Sequence, residues 1–225
     1  MLEFKIVDVI FMIPALLFAV IIHEIGHGFV AYKLGDDTAK REGRLTFNPI
    51  PHIDPLGSLI LPGLLIAVGS PFLFGWAKPV PINPYNFKKL NIKTGIALTS
   101  FAGPFTNILF AVIFALLYKL STDVDILSSI ASLLGIWVVE SVFVPLAIFF
   151  KYAVTINLIL AIFNLLPIPP LDGGHILLSL LPSNIYEKVA PYEQYGFFIL
   201  ILLLFTGVIG YIIMPVYIFL INILL

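Results

Sequence analysis

The chain has 225 residues, 60% of them hydrophobic and 11% charged, with a net charge of −1 and a mean hydropathy of +1.08. Soluble domains run at roughly 45–50% apolar and about 25% charged, so this composition excludes a water-covered globule and points to an integral membrane protein. There is no cysteine, which excludes disulfides and thiolate chemistry and leaves His, Asp and Glu to hold any metal; the membrane class also argues against a nucleic-acid partner.

Residues 7–34 are the first expected span. Val9 to Ile22 are wholly apolar, and the helix is expected to stop near Gly35-Asp36-Asp37. The apolar run leads into His23-Glu24 rather than a small-residue cleavage site, so no removable leader is expected. Residues 36–56 are polar and punctuated, and the alternation over Arg44–Phe47 predicts a short strand. Residues 57–74 are apolar but broken by Pro62, Gly63, Gly69 and Pro71, a pattern suited to a re-entrant hairpin covered by protein. Residues 75–94 form a proline-rich loop with Lys78, Lys88, Lys89 and Lys93. Pro79, Pro81 and Pro84 favour extended backbone around Val80 and Ile82. Trp76 and Trp137 are expected as interface anchors.

Thr94–Lys119 is a clear span. Residues 126–150 are apolar again, with Glu140 inside, expected at the interface or paired with Lys151, and 152–166 continue as a helix that ends at Leu166-Pro167-Ile168-Pro169-Pro170. Leu171-Asp172-Gly173-Gly174-His175 follows. Residues 182–195 are polar and interfacial, and Phe197–Leu225 are apolar with Gly207, Gly210 and Pro215 as expected kinks. No internal repeat is visible, and every gap between apolar runs is too short for an added soluble domain. The expected fold is an all-α polytopic membrane protein of about five or six membrane segments, with a small membrane-associated β or re-entrant region near residues 38–92. Residues 1–225 make one domain, with a core over 7–178 and C-terminal helices over 196–225. Eight of the 12 basic residues lie between Lys33 and Lys93, which places that region on the cytoplasmic side.

His23-Glu24-Ile25-Gly26-His27 carries the strongest chemical signal. On a helix, positions i and i+4 share a face, so both imidazoles reach one metal, and Glu24 projects at an adjacent angle from which it can take a proton. The helix runs past His27 to Lys33 by about 10 Å at 1.5 Å per residue, so the motif lies below the headgroups, where ionisable groups are costly unless paired or metal-bound. A two-His site needs a third protein ligand and an open position. Asp54, Glu140 and Asp172 are the candidate carboxylates. Asp172 stands out because a broken helix precedes it and two glycines follow, although the same pattern suits a helix N-cap. Asn107 and Asn164 sit in otherwise apolar helices. They are suited either to interhelical hydrogen bonds or to a substrate strand or oxyanion. His52 and Asp54 are expected in a turn and His175 as a polar helix residue.

Three segments occur in a telling order: His23-Glu24-Ile25-Gly26-His27, then Gly103-Pro104-Phe105-Thr106-Asn107, then Asn164-Leu165-Leu166-Pro167-Ile168-Pro169-Pro170-Leu171-Asp172-Gly173-Gly174. With them the chain resembles the site-2 protease family of membrane-embedded zinc proteases, in its short form without PDZ or CBS domains. Asn48-Pro49 and His52-Ile53-Asp54-Pro55 are similar to short prokaryotic members. The resemblance implies one Zn2+ per chain held by His23, His27 and Asp172, with Glu24 as general base. It implies a multi-pass protein of a prokaryotic cell membrane, surrounded by membrane lipid, that cleaves transmembrane protein substrates. A substrate helix must unwind to expose its peptide bonds, and an exposed edge at 44–47 or 78–82 is expected to pair with it. A metal transporter built on the same ligands would need alternating access, usually from paired repeats, which this chain lacks, and a catalytically dead scaffold would be expected to have lost a motif residue.

Overall fold

The structure is a computed structural model that describes residues 6–60, 64 and 77–225. It is helical throughout, with no strand among the described residues. Helix α1 (Ile6–Leu34) is apolar from Val9 to Ile22, carries His23, Glu24 and His27 in its second half, and ends at Gly35, whose φ of 114° only glycine adopts freely. Helix α2 (Ile92–Thr122) starts where the Asn91 side chain accepts from Thr94 N–H, and α3 (Val124–Leu134) starts where Asp123 accepts from Ile126 N–H. After Gly135, a helix runs through Ile136–Val138 and a π-helical turn at Val139–Phe143 into α4 (Val144–Asn164). The short helices α5 (Asp172–Leu180) and α6 (Ser183–Val189) follow, then α7 (Gly196–Phe205) and α8 (Val208–Leu224).

Four helical stretches are long and apolar enough to cross a membrane: Val9–Leu34, Ile92–Thr122, Ile136–Asn164 and Ser183–Phe205. The polytopic all-α class follows from them. Two boundaries differ from the sequence expectation. The apolar run 126–150 is split at Gly135, which takes φ 91° and ends α3, so the third crossing starts at Ile136. The polar stretch 183–195 is itself helical and leads into α7, so the fourth long stretch starts at Ser183, while the break at left-handed Gly207 falls at one of the expected kinks. The expected re-entrant hairpin at 57–74 lies outside the described residues apart from Leu64 and the π-helical turn Pro55–Ile60. Trp76 also lies outside them.

Helix α2 is the hub, packed on α4, α1 and α5. Its buried face is built of small residues, among them Gly95, Ser100, Ala102, Gly103, Ala111 and Ala115. Lipid is as apolar as leucine, so helices in a bilayer associate through close packing and hydrogen bonds rather than through hydrophobic transfer. Ala15, Ala111, Phe114, Ala115, Ala153, Val154 and Leu158 fill the space between α1, α2 and α4, and Leu166, Leu171, Leu200, Ile209 and Ile213 seat α7 and α8 against the loop after α4. Between the end of α1 and the start of α5 the described residues hold two crossing helices, Ile92–Thr122 and Ile136–Asn164.

The strand expected at Arg44–Phe47 does not form, and 77–83 carries no regular secondary structure. Proline at 79 and 81 removes two of the N–H groups a ladder would need. Side chains hold this region instead. Asp36, 0% exposed, accepts from Thr38 N–H, from Asn83 N–H at 2.7 Å and from Asn86 Nδ2 at 2.9 Å, which ties the end of α1 to the loop that precedes α2. Burial opposes its ionisation, but the hydrogen bonds from Asn86, Thr38 and Asn83 outweigh that and hold the carboxyl below the usual range. A lowered folded-state pKa gives stability that is complete above the unfolded value, about 3.9, and lost as pH falls through the folded one. Asp36→Asn should therefore unfold at lower temperature than wild type in detergent at pH 7, by roughly 1–3 kcal/mol, and the difference should shrink below about pH 4. A gap that stays constant across that range would show that the charge is not what matters.

Candidate metal centre

Helix α1 places His23 and His27 one turn apart on the face turned to α2, with 6% and 8% of their surfaces exposed. Their Nε2 atoms lie 3.0 Å from each other. The carboxylate of Asp172, from the first turn of α5, closes the set: Oδ2 is 3.1 Å from His23 Nε2 and Oδ1 is 3.4 Å from His27 Nε2. One ligand atom from each of the three side chains falls within 4.8 Å of the others. The N-cap reading of Asp172 does not apply, because Leu171 is the cap residue and no side-chain cap bond forms. The carboxylate faces the histidines instead. Leu166–Leu171 makes this possible with tight turns, Ile168 N–H to Leu166 O at 2.8 Å and Leu171 N–H to Ile168 O at 2.9 Å. Gly173 and Gly174 then pack so closely on the Leu165, Leu166 and Pro169 backbone that a Cβ would have no room.

The outer ring nitrogens settle the tautomers. His27 Nδ1 lies 2.7 Å from the Thr99 carbonyl, which can only accept, so Nδ1 carries the proton. His23 Nδ1 lies 2.6 Å from Asn107 Oδ1. Asn107 cannot be flipped, because its Nδ2 donates to the Ala19 carbonyl at 3.0 Å and to Asn157 Oδ1 at 2.7 Å. Asn157 is fixed in turn by its own donation to the Ala153 carbonyl at 2.8 Å. His23 Nδ1 is therefore also a donor. With both imidazoles neutral, as metal ligands must be, each has its one N–H on Nδ1 and both Nε2 atoms present bare lone pairs. Two such nitrogens face each other and a carboxylate whose Oδ2 has no hydrogen-bond donor. Three converging lone-pair groups with oriented outer bonds fit a divalent cation and would repel one another without one. Gly103 of α2 lies directly over them, where a Cβ would collide with both imidazoles.

Glu24 stands apart from the three. It is partly exposed, and its Oε2 accepts from Val80 N–H at 2.7 Å. Asn107 is 0% exposed with both amide atoms engaged, which leaves no donor for an oxyanion. Asn164 donates back to Leu160 O at 2.9 Å within α4. Asp54 accepts from Gly57 N–H at the head of the Pro55–Ile60 turn, His52 approaches Thr46 O at 3.0 Å, and His175 Nδ1 lies 3.2 Å from Glu193. Glu140 is exposed and forms no ion pair with Lys151 among the described residues. Sequence reasoning passed over Asn157. Its signal was there, a lone amide in the apolar run Tyr152–Phe163, the same signal that singled out Asn107. The Thr99 carbonyl has no sequence signal at all.

A bundle of membrane-crossing helices that buries two N–H-oriented histidines against one aspartate, beside a separate glutamate, defines the class of membrane-embedded metallohydrolases. The family description "Peptidase family M50" matches residues 11–206. The "Putative zinc metalloprotease YwhC" of Bacillus subtilis is 37% identical over 207 residues, 91% of this chain and 84% of that protein. The "Putative zinc metalloprotease Rip2" of Mycolicibacterium smegmatis is 32% identical over 197 residues, 88% of this chain and 67% of that one. No solved structure matches the chain. The chain belongs to peptidase family M50, the site-2 protease family, and is a zinc metalloprotease of that family.

The tautomer argument makes a quantitative claim. Asn107→Leu, which removes the acceptor behind His23, should weaken zinc binding by about 10–100-fold in a metal-buffer titration. Gly103→Ala should weaken it at least as much by crowding the imidazoles. Full affinity in Asn107→Leu would mean that the His23 tautomer is set by something else.

Proposed function

We propose that this protein hydrolyses peptide bonds within or next to the transmembrane segments of other membrane proteins. The reading rests above all on where the cluster lies. His27 is seven residues from the end of α1, about 10 Å below that end at 1.5 Å per residue, and so below one membrane face rather than in an aqueous domain. His23, His27 and Asp172 are the residues to hold one Zn2+ per chain, with a position left for water or a carbonyl. A zinc ion bound there lowers the pKa of water toward about 7 and polarises the scissile carbonyl.

Glu24 is the base in this scheme. One carboxylate oxygen is held by Val80 N–H, and the other takes the proton from the attacking water and later hands it to the leaving amine. Its partial exposure beside two buried imidazoles suits a residue that must meet water, which hydrocarbon does not supply. Asn107 and Asn157 act as positioning residues for His23, and Asn107 has no free group for the substrate. Asn164 stays a substrate-contact proposal that its present bond to Leu160 does not by itself favour. An unwound substrate segment is the partner chemistry required, because a helix has its carbonyls internally bonded. Of the two candidate edges, 78–82 lies beside Glu24, but its Val80 N–H is already taken by that carboxylate and Pro79 and Pro81 offer none.

Glu24→Gln keeps the shape and the acceptor for Val80 while removing the base. We expect near-normal zinc content and a loss of proteolysis of at least about 10³-fold on a reporter transmembrane segment with detergent-purified protein. Undiminished cleavage would remove Glu24 from the mechanism, and a chelator that failed to stop the wild type would remove the metal.

The basic residues between Lys33 and Lys93 support a cytoplasmic side for the face nearest the site, in what we take to be a prokaryotic cell membrane. The chain has no cysteine, so single cysteines at 40, 88 and 183 are clean labels. All three should resist an impermeant thiol reagent in intact cells. Labelling of 88 alone would show a full crossing between 57 and 74, and labelling of 40 and 183 on opposite sides would contradict a shared site for α1 and α5.

A further inference from the structure

The irregular run after Ala77 is held at several points along its length. Lys78 N–H donates to His52 O at 2.9 Å, and Lys78 O accepts from Arg44 Nη2 at 2.6 Å. Five residues further on, Asn83 N–H is held by Asp36 Oδ2 at 2.7 Å. Between these anchors lies Pro79-Val80-Pro81. Proline has no N–H and a fixed φ, so Val80 supplies the one backbone donor of the tripeptide, and that donor goes to Glu24 Oε2 at 2.7 Å. The Val80 side chain is 7% exposed and packs with Leu45 over Gly28 of α1, where a Cβ would collide with both. Gly28 is one turn beyond Glu24, so the strap rests on the same stretch of α1 that carries the base.

Arg44 shows that the anchoring has a cost. Its guanidinium is 3% exposed, and among the described residues it makes one hydrogen bond, to Lys78 O, with Nε and Nη1 unpartnered. A buried cation is costly unless fully compensated. Keeping it on a single carbonyl fixes the height of residue 78 relative to α1, two residues before the donor that meets Glu24. Glu24 needs such a fixed point, because it has one side-chain torsion more than Asp and no other hydrogen-bond partner among the described residues.

We propose that Pro79-Val80-Pro81, pinned by Arg44, is the positioning element of the general base: Val80 N–H holds Oε2 of Glu24 and leaves Oε1 for proton transfer. This rests on the reading of Glu24 as the base. The strap acts on the chemical step through Glu24, so it sets kcat. A strap whose main task was to pair with the substrate would set KM.

The test compares Val80→Pro with Val80→Ala in purified enzyme. Alanine trims the side chain and keeps the N–H, whereas proline keeps three side-chain carbons and loses the N–H. Relative to Val80→Ala, Val80→Pro should lower kcat by about 10–100-fold, the size of a hydrogen bond to a charged group, with KM within about twofold and zinc content unchanged. Arg44→Met should lower kcat in the same way, and Arg44→Lys, which keeps a donor, should recover part of the loss. Where Val80→Pro loses zinc or fails to fold, 2-hydroxyisovalerate placed at position 80 by nonsense suppression removes the N–H alone, and its kcat decides. Equal kcat in the alanine and proline variants overturns the proposal. So does a rise in kcat, which would make the bond a latch, and so does a rise in KM at constant kcat, which would make the strap a substrate edge. Glu24→Gln is measured alongside: if it cleaves normally the base assignment itself fails, whereas an inactive Glu24→Gln with an unaffected Val80→Pro refutes the strap alone.

Discussion

One buried amide holds the centre of this molecule together. Asn107 of α2 accepts from His23 of α1, donates to the Ala19 carbonyl of α1 and donates to Asn157 of α4. Three crossing helices meet at that side chain, which has no exposed surface. In hydrocarbon there is no hydrophobic transfer to draw helices together, and interhelical hydrogen bonds of about 0.6–2 kcal/mol are among the few specific forces available. The same contacts that lock the helix register also fix the proton on His23 Nδ1 and turn its Nε2 toward Asp172. Packing and site chemistry are thus one constraint, and the small residues of α2, Gly103 above all, are what let the helices come close enough to satisfy it.

The site divides into a dry side and a wet side. His23 and His27 are sealed between α1 and α2, with outer nitrogens bound to protein oxygens. Glu24, one residue along the helix, turns toward the strap and keeps some exposure. A helix turn of 100° per residue separates the two environments without any change of element. For peptide hydrolysis in a bilayer this separation matters, because ligands must be kept from competing water while the base must meet it. Asp172 arrives by a different route. A proline-rich turn ends α4 early, and two glycines let α5 start against that turn's own backbone, so the carboxylate reaches membrane depth without a cap role.

Some of this was legible in the sequence for identifiable reasons. The spans are readable because lipid imposes a composition on whatever faces it. The His23–His27 pair is readable because helical periodicity makes spacing a statement about geometry. Asp172 is readable through the break that Pro167, Pro169 and Pro170 impose and the glycines that follow. The Arg44–Phe47 strand was misjudged because alternation is a statement about two faces of a sheet, and Arg44 instead buries its side chain on the Lys78 carbonyl with no partner strand beside it. The split at Gly135 was missed because a glycine in an apolar run is compatible with a continuing helix until its φ is known.

What the sequence alone determined is therefore what depends on local rules: membrane class, helical spans, and which side chains are the candidate ligands and base, each set by residue type and short spacing. What only the tertiary structure decided is what depends on groups that carry no sequence label or lie far apart. The Thr99 carbonyl that orients His27 is a backbone atom present at every position. The Val80 N–H that meets Glu24 comes from 56 residues away, and Asn157 matters only because α4 brings it to Asn107 across 50 residues. Hydrogen bonds are short and directional, so which donor finds which acceptor is fixed only once the helices have packed.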